Sequence, residues 1–107
     1  MDIKFEMEND MTQLIEKAAF EQIERALEKI GITAEKYSKV ACPVDTGRLR
    51  NSISHTRDKN TAYIGTNVEY AAYVEMGTSS TKAQPYLEPA ISNHLEEYKS
   101  IVEEELK

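Results

Sequence analysis

The chain has little of several things that would narrow its function at once. In 107 residues it holds one cysteine, Cys42, two histidines, His55 and His94, four glycines, three prolines and no tryptophan. A single cysteine forms no internal disulfide and anchors no multi-cysteine metal site, which suits folding in a reducing compartment. Neither histidine falls in a His-Glu-x-x-His pattern or a His-rich tract. A zinc site would need Cys42, His55 and His94 to converge from distant segments. Four glycines supply no phosphate-cradling loop once the turns are made. No apolar run approaches the roughly 18 residues that cross a bilayer. The opening Met1-Asp2-Ile3-Lys4-Phe5-Glu6 lacks the apolar centre of a secretory signal. These absences predict a soluble chain that touches no membrane, and its length suits a single domain over 1–107.

Acids outnumber bases by 19 to 13, for a net charge of −6. That balance argues against a general nucleic-acid binder, which needs clustered Lys and Arg to neutralise phosphates. The distribution is uneven. Residues 1–35 hold nine acids and four bases, and residues 88–107 hold six acids and two bases. Residues 36–60 reverse the sign, with Lys36, Lys39, Arg48, Arg50, Arg57 and Lys59 against Asp45 and Asp58. A basic middle between acidic ends leaves two readings: ordinary solvated faces, or opposed surfaces that meet on neighbouring subunits. A nucleic-acid-binding accessory protein working through the 36–60 segment is the alternative function this pattern allows.

Hydrophobic spacing predicts an α+β fold. Phe20, Ile23, Leu27, Ile30, Ala34, Tyr37 and Ala41 recur at steps of three and four, with Met11, Leu14, Ile15 and Ala18 ahead of them. The spacing predicts a long helix over about 10–41, capped by Asp10 or Thr12, with Gly31 as a weak point and Pro43 as the stop. Unbroken, it would run about 45–50 Å and overhang a domain of this size, so that a partner would have to cover part of its stripe. Arg48 to Asn51 has room for one helical turn. Alternation then predicts an antiparallel hairpin over about 52–68 that turns at Asp58-Lys59-Asn60, with Ile53 and His55 on one side. A short helix over 69–76, a polar mobile loop over 77–84 and a C-terminal helix over 86–106 complete the chain. The stripe of the last helix is Leu87, Ile91, Leu95, Tyr98, Val102 and Leu106. Both long helices are expected to pack on the small sheet.

The search for catalytic chemistry yields no assignment. Ser52 or Cys42 with His55 and Asp45 spells a nucleophile triple, but short stretches of most sequences supply one. Asp45 is better explained as a cap before the Thr46-Gly47 turn. Tyr63, Tyr70, Tyr73 and Tyr86 cluster, and a base-stacking platform would interleave them with cations. The interval 61–87 offers Lys82 against Glu69 and Glu75. These rings are therefore expected to line a core edge or a subunit contact with their hydroxyls at the surface. No catalytic residue, cofactor or metal ligand is assigned.

Three blocks carry a family likeness. The first is Cys42-Pro43-Val44-Asp45-Thr46-Gly47-Arg48-Leu49-Arg50-Asn51-Ser52-Ile53. The second is Tyr70-Ala71-Ala72-Tyr73-Val74-Glu75-Met76-Gly77-Thr78. The third is Ala83-Gln84-Pro85-Tyr86-Leu87-Glu88-Pro89-Ala90. In order and spacing they resemble the neck or tail-completion family of long-tailed phages, of the Hong Kong 97 gene-ten-product type. Met76 departs from it, standing where an aromatic is common. The matched positions are Pro43, Asp45, Thr46, Gly47, Leu49, Ser52, Tyr70, Tyr73, Glu75, Gly77, Thr78, Gln84, Pro85 and Pro89.

The resemblance implies a non-enzymatic virion protein at the head–tail junction. Its partners would be head-closure or connector proteins on one side and tail-terminator or tail-tube proteins on the other. Such a protein is a homo-oligomer in the virion and sometimes a monomer alone, with DNA passing nearby but not bound specifically. Physically, Thr46-Gly47 would turn the chain, Glu75 and Thr78 would tie the short helix to the loop, and Pro85 and Pro89 would open the last helix. Arg48, Arg50, Arg57, Ser79, Ser80 and Lys82 are the candidate partner contacts.

Overall fold

Five alternating residues open the chain, and they make a strand that the helical reading of the N-terminus passes over. The computed structural model describes residues 1–7, 18–44 and 47–107. Its elements are β1 (Asp2–Glu6), α1 (Phe20–Ala41), α2 (Arg48–Ser52), β2 (Ser54–Asp58), β3 (Thr61–Gly65), α3 (Ala71–Met76), α4 (Glu88–Ser92) and α5 (Leu95–Glu105). The three strands form one antiparallel sheet in the order β1-β3-β2. The fold is α+β.

The hairpin is the one the alternation indicates. β2 and β3 are joined through Lys59 and Asn60, Asp58 faces Thr61 across the pair, and the Lys59 N–H donates to Asp58 Oδ1 at 2.8 Å. On the other side of β3, Phe5 faces Ala62 and Ile3 faces Ile64. A period of two therefore puts Ile3, Phe5, Ala62, Ile64, His55 and Arg57 on one face and Lys4, Thr56 and Tyr63 on the other. Helix α1 packs across the first face against β2 and β3, while α4 reaches β1.

Helix α1 is shorter than its apolar spacing suggests. It starts at Phe20 after an extended Ala19 (φ −74°, ψ 151°), whose N–H is taken up by Gln22 Oε1 at 2.8 Å. Residues 10–17 lie outside the described residues, and with them the caps Asp10 and Thr12. Twenty-two residues span about 33 Å, inside the 50 Å long dimension of the molecule. The described helix is thus about two-thirds of the length expected for 10–41, which weakens the argument from length for a covering partner. Gly31 does not interrupt it. A Cβ there would lie 2.7 Å from His55 Cδ2, so this glycine lets the helix backbone approach β2 closely. The buried stripe is Ala26, Leu27, Ile30, Gly31, Ala34 and Ser38, while Phe20 and Ala41 at its ends are exposed.

The C-terminal helix is two helices rather than one. The chain turns at Asn93 and His94, with the Asn93 N–H donating to Pro89 O at 3.0 Å and the His94 N–H to Ile91 O at 3.2 Å. The His94 ring stacks flat on Tyr37 of α1, with centroids 3.6 Å apart. This turn resets the helical phase. Leu95 is left 38% exposed, while Tyr98, Val102 and Leu106 point into the core. Tyr98 meets Phe5 edge-on at 5.6 Å, joining α5 to β1. Its hydroxyl donates to Ala90 O.

Candidate docking surface

The first two sequence blocks lie far apart in the chain and meet in space. Pro43 ends α1, since a proline continues no helical hydrogen bond. After residues 45–46, which lie outside the described residues and include Asp45 and Thr46, Gly47 adopts a left-handed conformation (φ 86°, ψ −4°). Its carbonyl accepts the Asn51 N–H at 2.9 Å and so starts the single turn of α2. Leu49 is buried from that turn. Ser52 Oγ donates to Leu49 O at 2.6 Å and lies 2.5 Å from Thr66 Oγ1, which accepts the Val68 N–H at 3.1 Å. That chain of bonds fixes α2 to the segment leading into α3.

Between these segments lies a hollow of about 550 Å³ lined by Pro43, Val44, Gly47, Arg48, Leu49, Tyr70 and Val74. Its lining is mostly apolar. Arg48 bridges its rim through a two-pronged ion pair with Glu69, at 2.9 and 2.8 Å, and its guanidinium stands 5.4 Å from the centre of the Tyr70 ring. On α3, Tyr73 and Met76 are 63% and 66% exposed, and Val44 is also exposed. Three residues apart, Tyr73 and Met76 share one helical face.

The third block is fastened to α3 chiefly through one carboxylate. Glu75 on α3 is 5% exposed. Its Oε1 accepts the Tyr86 and Leu87 N–H groups at 3.0 and 2.8 Å, and its Oε2 accepts the Glu88 N–H at 3.2 Å. Pro89 occupies the first turn of α4 and needs no donor there. Gly77 ends α3 at φ 75°, and a Cβ on it would come within 2.7 Å of Ala83 N and 2.8 Å of Thr81 O. The Gln84 N–H donates to Val74 O at 2.9 Å and turns the loop back, with Pro85 following it. Within the loop Thr78 Oγ1 accepts the Thr81 and Ser80 N–H groups at 3.0 and 3.3 Å. Ser79, Ser80 and Lys82 are held outward.

One sequence expectation changes here. Tyr86 is fully buried, and its hydroxyl donates to Ala71 O at 3.2 Å instead of reaching solvent. Burial pushes its pKa up to about 12. Some charges of the basic middle, Lys39, Arg48 and Arg57, are paired within the chain. Arg57 holds Glu24 and Glu28 at 2.7 and 2.9 Å, Lys39 holds Glu35 at 3.2 Å, and Arg25 and Lys29 hold Glu105. Arg50 is exposed.

Of the nucleophile triple, Asp45 lies outside the described residues. Ser52 is engaged with Leu49 and Thr66, while His55 lies between Glu28 and Glu35. Among the described residues no three His, Cys, Asp or Glu side chains are grouped to hold a metal ion. Sequence reasoning passed over both β1 and the ion cluster around His55. Glu28, Gly31 and Glu35 fall at i, i+3 and i+7, one helical face, and that spacing was the available signal.

The domain is a small α+β fold whose motif residues shape its turns. The chain matches the family model "Bacteriophage HK97-gp10, putative tail-component" over residues 5–77 and belongs to that family. It is a phage tail component, and its setting is the virion. No curated protein and no solved structure matches the chain. No helix of the described residues is long and apolar enough to cross a membrane.

Proposed function

We propose that this tail component acts at the neck, joining the DNA-filled head to the tail through protein–protein contacts. The observation that carries the proposal is the meeting of the first two motif blocks around one apolar hollow, with Tyr73 and Met76 exposed on the short helix that lines part of it. Motif residues spent on shaping a contact surface suit an adaptor better than a catalyst. The proposed neighbours are a head-closure or connector protein on one side and a tail-terminator or tail-tube protein on the other, with further copies of this chain completing a ring. In this reading the 77–84 loop, through Ser79, Ser80 and Lys82, and the rim at Arg48 and Arg50 make the outer contacts. Arg57, with its carboxylate partners on α1, would present the hairpin to a neighbouring subunit.

Location in the particle tests this. A gold-labelled tag on the chain, viewed on intact virions, should mark the head–tail junction. Label confined to the tail tip or spread along the tube would overturn the neck assignment while leaving the chain a tail protein.

A further inference from the structure

At one place the seam between β2 and α1 is closed by charge. The His55 ring lies with Nδ1 2.9 Å from Glu35 Oε1 and Nε2 3.0 Å from Glu28 Oε2. A neutral imidazole has one N–H, so one ring nitrogen would turn its lone pair toward a carboxylate. An imidazolium donates to both. Gly31 lies between the two glutamates on the helix, and the lack of a side chain there lets the ring rest against the backbone. The surrounding charges close the cluster. Arg57 on the same strand bonds Glu28 and Glu24, and Lys39 bonds Glu35. From β3 the residue facing His55 is Ile64, which is neutral. Tyr63, Asp2 and the Met1 amino terminus line a polar hollow beside the strand.

We propose that His55 is a pH-sensitive latch: as an imidazolium bridging Glu28 and Glu35 it holds the β2–β3 hairpin on α1, and loss of one proton loosens that seam. Burial of the ring opposes its charge, but the hydrogen bonds to Glu28 and Glu35 outweigh it and raise its pKa above the ordinary 6.5. The His55 bond holds Glu28 below the ordinary 4.5. Burial pushes Glu35 up, and the bonds from His55 and Lys39 outweigh that and bring it below 4.5 too.

The signs follow from linkage. The histidine's contribution is complete below pH 6.5 and disappears as pH rises through its higher native value. The carboxylates contribute fully above pH 4.5 and lose that as pH falls through their lowered values. The latch is tightest between those limits.

Nitrogen NMR of the labelled chain reads the latch directly. At about pH 6 His55 should show two ring N–H resonances, and its titration midpoint should lie above its ordinary value of about 6.5. The melting temperature should fall across that same titration, and His55→Gln should remove that step. A single ring N–H at about pH 6, a midpoint at or below the ordinary value, or a step that survives in His55→Gln would each overturn the proposal. Should His55→Gln fail to fold, Glu35→Gln keeps one carboxylate and should lower the His55 midpoint; an unmoved midpoint sinks the latch.

Discussion

Replacing Glu75 with alanine should destabilise the domain by about 3–5 kcal/mol, because three backbone N–H groups lose one shared acceptor in a nearly closed site. The Tyr86 and Leu87 donors are buried, and the Glu88 donor is half-buried. Water reaches the first two poorly, so the lost bonds are not replaced. For a domain whose total stability is of order 5–15 kcal/mol, such a loss removes a large share. The melting temperature should drop by about 15 °C or more. Glu75→Gln keeps one acceptor oxygen for Tyr86 and Leu87 but turns an amide N–H toward the Glu88 donor. It should cost about 1–2 kcal/mol. Calorimetry of the two variants beside the parent checks both the size and the order. A Glu75→Ala protein that melts within a few degrees of the parent would mean that the 77–89 segment is held by something other than this carboxylate.

The second large effect should appear in binding with the fold intact. Tyr73 and Met76 are mostly exposed, so aspartates at both positions should leave the melting temperature nearly unchanged. If α3 is a contact centre, the paired substitution removes two apolar anchors and places two charges in the interface. Affinity for the docking partner should fall by about 30-fold or more, the equivalent of about 2 kcal/mol. Complementation of a phage lacking the parent chain should fail in step with it. Full complementation by a folded Tyr73→Asp, Met76→Asp protein would move the contact away from this face.

What the sequence revealed depended on how local each signal was. The run from Phe20 to Ala41 repeats its apolar spacing often enough to be legible as a helix. The hairpin was legible because Asp58, Lys59 and Asn60 punctuate two alternating stretches. β1 offers only Ile3 and Phe5 as alternating apolar residues, and its partner β3 comes after two helices and another strand. The alternation of Asp2-Ile3-Lys4-Phe5-Glu6 was its local signal, a short one that the sequence reading passed over. The turn at Asn93 and His94 carries no glycine or proline, and the three-and-four spacing runs straight through it. What accompanies it is a tertiary contact, the stacking of His94 on Tyr37, which no local spacing encodes.

The surface shows the same division. Gly77, Pro85 and Pro89 are legible one by one as backbone specialists. That Leu49 and Val74 line one hollow depends on how α2 and α3 pack, which no local spacing encodes. Likewise His55 is legible as an inward-facing strand residue, but the carboxylates it meets, Glu28 and Glu35, come from a helix that precedes it by two elements.

The role proposed for this tail component is to couple two preassembled parts of a virion. Electron microscopy of particles made by a phage lacking the chain tests it most directly. Filled heads and complete tails that accumulate unattached are the predicted result. Intact, joined virions in normal yield would contradict the account.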